Sequence, residues 1–210
     1  MQKQIRIAVI APNNVEDMEL IVPIDIWKRA KFIVDVMVYD VKSSFNLSYS
    51  MLKVTSGLNL KTVNMIQYDA IFLPGGPGYK SYLNPSSIER DDPDPKLHNS
   101  VKKFFDDPSK WLVAICAAPI PLLCILEEAR NKDLSFTCYN DPNIIGDFRE
   151  NWINKKVVVD KQVITAQNAG CAIDVALATV ECLAGAELAQ EIAKKLFIDY
   201  KGVHNYPILN

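Results

Sequence analysis

The chain has 210 residues, 49% of them hydrophobic and 23% charged, with a formal net charge of −2; this is the balance of an ordinary globular protein and excludes a polycation or a low-hydrophobicity tail. Its basic residues fall in scattered pairs (Lys28-Arg29, Lys102-Lys103, Lys155-Lys156, Lys194-Lys195), so no nucleic-acid partner is predicted. The longest apolar run, 111–126, is broken by Pro119 and Pro121 and falls short of the ~20 residues a bilayer requires, so no membrane partner is predicted either.

The opening, Met1-Gln-Lys-Gln-Ile-Arg-Ile7, passes straight into a strand-like run over 5–11 without a small-residue cleavage site, which predicts a chain that stays in the cytoplasm. An acidic segment, Glu16-Asp17-Met18-Glu19, then opens a helix over 18–30. Glu16 and Asp17 read as caps that complement the helix dipole. Glu19 lies one turn further in, ahead of Pro23, which is expected to kink the helix and let the glutamate point back across the strand ends. A strand over 33–39 and a short edge strand over 54–61 come next. The buried strand over 70–73 ends in Pro74-Gly75-Gly76-Pro77-Gly78, a turn that can bring backbone N–H groups close to a ligand.

Residues 84–95 are proline-rich, acidic and aperiodic, and read as an exposed loop. Beyond it the pattern predicts a helix over 97–105, a strand over 112–115, a helix over 120–128, a strand over 134–137, a hairpin over 157–165 turning at Asp160-Lys161, and helices over 172–183 and 188–197. Strands alternating with helices, several of them apolar at consecutive positions, predict an α/β fold: one domain over 1–210 with a mostly parallel sheet covered on both faces and antiparallel pieces at its edge.

Five cysteines (Cys116, Cys124, Cys138, Cys171, Cys182) form no close pair, so free thiols are expected and neither a metal site nor a disulfide framework. Cys116 stands apart. It closes a buried strand, and Pro119 sits at the first turn of the next helix, where its missing N–H costs nothing. Free amides and the helix dipole are therefore expected to lower its pKa. The Ala117 N–H and the glycine turn supply donors for an oxyanion hole. Cys124, Cys171 and Cys182 read as packing residues on helices, and His98 and His204 lie outside any recognisable catalytic arrangement.

Taken in order, Glu16-Asp-Met-Glu19 through Trp27-Lys-Arg-Ala30, Tyr68-Asp-Ala-Ile-Phe-Leu-Pro-Gly-Gly76, Ala114-Ile-Cys-Ala-Ala-Pro119 and Asp174-Val-Ala-Leu-Ala-Thr-Val-Glu181 resemble the ThiJ/PfpI superfamily, and within it the parkinsonism-associated deglycase (glyoxalase III-like) branch. The resemblance implies a flavodoxin-like sandwich, a homodimer, no cofactor and a small 2-oxoaldehyde substrate such as methylglyoxal. It further implies Cys116 as nucleophile, Glu19 as its hydrogen-bond partner, Gly76 and Ala117 as oxyanion donors, and Gly75, Gln167 and Asn168 as cleft-lining residues. A protonated Glu19 would avoid placing a carboxylate beside a thiolate, and the pair would titrate together. By analogy alone, Trp27, Ile24 and Lys28 are assigned to the dimer contact.

The chain departs from this branch's pattern in two places, and two further positions set it apart from other branches. Cys138 stands where the branch carries a histidine, either replacing it or acting as a resolving thiol for Cys116. Gln167 stands where an arginine is usual. Ala117 follows the nucleophile where the protease branch has a histidine, which disfavours a peptidase. His204-Asn205-Tyr206 does not supply the His-x-Glu pair of glutamine amidotransferases. The alternative reading is a redox-sensing stress-response or chaperone-like protein whose Cys116 is oxidised to a sulfinate.

Overall fold

Side-chain alternation divides the strands between two cores. In β1 (Arg6–Ala11), Ile7, Val9 and Ala11 face one core while Ala8 and Ile10 face the other. The structure, a computed structural model, describes residues 3–39, 43–83, 95–127 and 133–209. After β1 come α1 (Asp17–Arg29), β2 (Ile33–Val38), a small antiparallel pair of β3 (Ser44–Asn46) and β4 (Lys53–Thr55), and β5 (Ala70–Leu73). The chain continues through α2 (Pro95–Asp106), β6 (Trp111–Ile115), α3 (Pro119–Glu127) and a short α4 (Pro142–Ile145). It ends in the antiparallel pair β7 (Val157–Asp160) and β8 (Val163–Ala166), followed by α5 (Ala172–Ala184) and α6 (Ala186–Lys195).

The six-stranded sheet has the order β2-β1-β5-β6-β8-β7, all parallel except β7. This is the α/β sandwich that the sequence predicts. One face buries α1, α5 and α6 around Trp27, Phe72 and Val175, and the other buries α2 and α3 around Tyr82, Phe104 and Leu122. From β1 the chain runs outward to β2 and then crosses back to β5 on the other side. The strand order therefore switches between β1 and β5, and a crevice opens above the carboxyl ends of those strands, where α/β sheets take ligands.

Three expectations need correction. Residues 134–137 are not a sheet strand. They make a single bridge, Phe136 to Trp152, while the Ser135 and Thr137 amides donate to the side chains of Asp160 and Thr165 at 2.8 and 3.0 Å. Residues 54–61 contribute only β4, which pairs with β3 in a separate sheet tied to the main one through a Val38–Asn59 bridge. Trp27 is fully buried, stacked edge-on against Phe72 at 5.0 Å with its indole N–H on the Ala176 carbonyl at 3.1 Å, so it cannot form a dimer surface. Pro23 sits within a continuous α1. The proposed loop over 84–95 lies outside the described residues except at Pro95, where α2 starts.

Candidate active site

Three segments meet at the crevice: the start of α1, the glycine turn after β5 and the elbow after β6. The Glu16 side chain caps α1 by accepting the Glu19 amide at 2.8 Å, and the Glu16 amide in turn donates to the Gly75 carbonyl at 3.2 Å. The Gly78 amide donates to the Asn14 carbonyl at 3.2 Å, a second tie across the switch point. Gly76 has φ +90°, and a Cβ there would lie 2.3 Å from the Glu16 nitrogen, so only glycine allows this approach. At Gly75 a Cβ would meet Glu19 Oε2 at 2.7 Å and the Cys116 Cβ at 2.8 Å.

Cys116 adopts a left-handed backbone, φ +65°, which costs a non-glycine residue roughly 1–2 kcal/mol. Two hydrogen bonds hold it there: its amide donates to the Ala166 carbonyl at 2.9 Å, and its carbonyl accepts the Tyr139 amide at 2.7 Å. The bend turns the sulfur toward the crevice, where the Gly76 and Ala117 amides and the Glu19 carboxyl are its electrostatic neighbours. Glu19 is fully buried. Its Oε2 accepts the Gly75 amide at 2.9 Å, whereas Oε1 is buried with no hydrogen-bond partner.

The electrostatics reverse one expectation. Burial raises the Cys116 thiol, the Glu19 carboxyl beside it raises it further, and the Gly76 and Ala117 amides pull it down only in part. The thiol is thus held above its ordinary pKa. Burial likewise pushes Glu19 up to about 7, helped by the negative charge of Glu16 and opposed by the hydrogen bonds from Cys116 and Gly75. The two groups titrate as neighbours: each disfavours the other's ionisation, and the first proton is lost from Glu19, leaving the thiol protonated.

A cavity of about 670 Å³ opens over the sulfur, lined on the site side by Glu16, Glu19, Gly76, Cys116, Ala117 and Asn168. Gly75 lies beneath the Glu19 carboxyl rather than on the cavity wall. Gln167 is turned away; it is buried, and its amide donates to Asn154 Oδ1 at 2.7 Å. Cys138 does not line the cavity. Its sulfur packs in the opposite core and donates to the Tyr139 carbonyl at 3.5 Å, and burial pushes it up to about 12. Sequence reasoning passed over the aromatic wall of Tyr49, Tyr79 and Tyr139, because loop tyrosines carry no periodic signal. Among the described residues no group of three or more His, Cys, Asp or Glu is placed to hold a metal ion, and no helix is long and apolar enough to cross a membrane.

A parallel sheet with a cysteine on a left-handed elbow and a buried glutamate against its sulfur defines a cysteine-centred protein of flavodoxin-like fold. The DJ-1/PfpI family profile matches residues 5–182, and the chain belongs to that family. Protein DJ-1alpha of Drosophila melanogaster is 29% identical over 197 residues, covering 92% of this chain and 83% of its own length. The Parkinson disease protein 7 homolog of Danio rerio is 26% identical over 193 residues, covering 92% and 97%. The crystal structure of Drosophila melanogaster DJ-1beta superposes with a TM-score of 0.78 at 26% identity, covering 94% of this chain and all 100% of that one. The family includes enzymes, and these relatives place the chain on its DJ-1-like side.

Proposed function

We propose that the protein is a cofactor-independent, cysteine-dependent glyoxalase or deglycase that acts on small 2-oxoaldehydes in the cytoplasm. The observation that carries this reading is the fully buried Glu19 carboxyl, with no cation against it among the described residues, beside Cys116 at the floor of an open cavity. In the singly protonated pair, Glu19 accepts the thiol proton as sulfur attacks the aldehyde carbon, giving a hemithioacetal. Gly76 and Ala117 amides stabilise the oxygen that becomes negative. Glu19 passes the thiol proton to that oxygen. The regenerated carboxylate removes the proton from the former aldehyde carbon and returns it to the neighbouring ketone carbon, while a hydroxyl proton moves from the first oxygen to the second, leaving a thioester. Water cleaves the thioester and frees the thiol, so that methylglyoxal plus one water yields lactate.

The raised thiol is compatible with this scheme because the proton has only to cross one hydrogen bond. Lactate formation by wild type, Cys116→Ser and Glu19→Gln is the test. Loss of about a thousandfold or more is expected in both variants, and equal activity in all three would overturn the reading. We also propose a homodimer, supported by the exposed apolar side chains Met18 and Ile21 on α1 beside Met51 and Leu52; light scattering should give twice the chain mass.

The redox reading keeps support from the same two amides, which are placed to hold the oxygens of a Cys116 sulfinate. Its signature is a gain of two oxygens on Cys116 by mass spectrometry after mild peroxide. A disulfide between Cys116 and Cys138, both free thiols, would instead mark Cys138 as a resolving thiol.

A further inference from the structure

The cavity over Cys116 is much larger than a three-carbon aldehyde needs: its 670 Å³ falls in the range of roughly 300–1,000 Å³ that takes drug-sized ligands. Its wall beyond the reacting atoms is aromatic and apolar. Tyr79 and Tyr139 flank it, Ile144 and Pro77 add aliphatic surface, and Tyr49 stands at the open edge. Tyr79 is raised above its ordinary pKa by burial, then by Asp141, Cys116 and Cys138, so it presents a neutral phenol. The α4 segment that delivers Ile144 is fixed by its Asp141 cap, whose carboxylate accepts the Asn143 amide at 2.8 Å.

The charge of the wall is one-sided. Its only acidic side chains are Glu16 and Glu19, and among the described residues no Lys, Arg or His lines it. A nearby cation, Lys80, lies over the Tyr79 ring at 6.0 Å and does not line the cavity. An anionic substrate would therefore bring its charge toward two carboxyl groups without a counter-ion. A neutral substrate with a flat apolar substituent would bury that substituent against the tyrosine rings.

We infer that the site selects neutral 2-oxoaldehydes bearing an aryl or bulky alkyl group on the ketone carbon, and rejects 2-oxoaldehydes that carry a negative charge. This inference rests on the aldehyde-converting reading above. Tyr139 and Ile144 are the specificity-determining residues: both face the cavity, and neither side chain hydrogen-bonds the Cys116–Glu19 pair.

Two independent measurements test it. The first is kcat/KM for phenylglyoxal, methylglyoxal and the anionic 4-carboxyphenylglyoxal. Phenylglyoxal should exceed methylglyoxal about tenfold, and 4-carboxyphenylglyoxal should fall at least about tenfold below phenylglyoxal. Tyr139→Ala should bring the phenylglyoxal-to-methylglyoxal ratio close to one, and Ile144→Lys should raise 4-carboxyphenylglyoxal relative to both. Equal specificity constants for the three substrates, or no response to either substitution, overturn the inference even if Cys116-dependent turnover is found.

The second measurement does not depend on turnover. Alkylation of Cys116 by neutral phenacyl bromide and by anionic iodoacetate is followed by mass spectrometry, each rate being divided by that reagent's rate with glutathione. A normalised preference of about tenfold for the neutral aryl reagent, reduced in Tyr139→Ala, supports the cavity's selectivity even if no aldehyde is converted. Equal normalised rates reject it.

Discussion

At the amino end of the sheet Asp69 accepts the Lys3 ammonium on Oδ1 at 2.5 Å and the Arg6 amide on Oδ2 at 2.9 Å. At the carboxyl end Glu19, fully buried, has the Gly75 amide on Oε2 at 2.9 Å and no hydrogen-bond partner on Oε1. Both carboxyls close a gap between strands, yet one has both oxygens satisfied and a cation beside it while the other lacks both. Nearby, Asp35 also has a cation beside it, its Oδ2 accepting from Arg6 at 2.9 Å and from the Tyr68 hydroxyl at 2.8 Å. The difference lies in the cation. It makes the carboxylate a fixed strut, whereas a buried carboxyl with an unpartnered oxygen and no cation holds its proton more readily.

The largest expected effect comes from removing the titrating oxygen. Glu19 is protonated below its unfolded value of 4.5 in both folded and unfolded chains and ionised in both above about 7; between those limits the folded state holds the extra proton. Wild type should therefore lose about 3 kcal/mol of stability relative to Glu19→Gln as pH rises from 4.5 to 7, and the difference should be flat outside that window. Denaturant melts of both proteins at four or five pH values read this directly. A constant gap would mean that Glu19 does not titrate with burial. In the same window, wild-type kcat/KM should rise through about pH 7 as the doubly protonated pair gives way to the reactive singly protonated one.

A smaller effect is expected from displacing the carboxyl while keeping it. Gly75→Ala places a methyl 2.7 Å from Glu19 Oε2 and 2.8 Å from the Ile115 carbonyl, which should cost about 2 kcal/mol and slow alkylation of Cys116. Unchanged stability would show that the turn relaxes freely. Least of all should follow from the other end of the comparison. Lys3 is largely exposed, so Lys3→Ala should cost at most about 1 kcal/mol and leave kcat/KM untouched. A larger loss would mean that the exposed ion pair at Asp69 matters more than its solvation allows.

The sheet and its covering helices were legible because buried parallel strands such as Ala70-Ile71-Phe72-Leu73 are apolar at every position and helices between them are not. Residues 134–137 misled for a physical reason: Leu134, Phe136 and Cys138 fill the core as strand residues do, but the Ser135 and Thr137 amides between them bond to side chains and Phe136 pairs with the loop backbone at Asn151 and Ile153 rather than with a sheet strand. At the site, Cys116, Glu19, Gly76 and Ala117 could be found from sequence because each follows from a strand end or a helix start. Gln167 was misplaced because sequence does not show that Asn154 holds its amide. The thiol's raised pKa was missed because a helix start predicts partial positive charge and says nothing of the burial that outweighs it.

The ties across the switch point also have a kinetic meaning. Glu19 and Gly75 are 56 residues apart, and the elbow lies further along the chain, so no local segment can assemble the pair. Such long-range closures form late, after the strands that carry them have docked. A nascent or partly folded chain therefore exposes Cys116 as an ordinary thiol, open to alkylation and mispairing, and the sulfur acquires its protected character only when β1, β5 and β6 are in register. The fall in its alkylation rate during refolding is a clock for that last step.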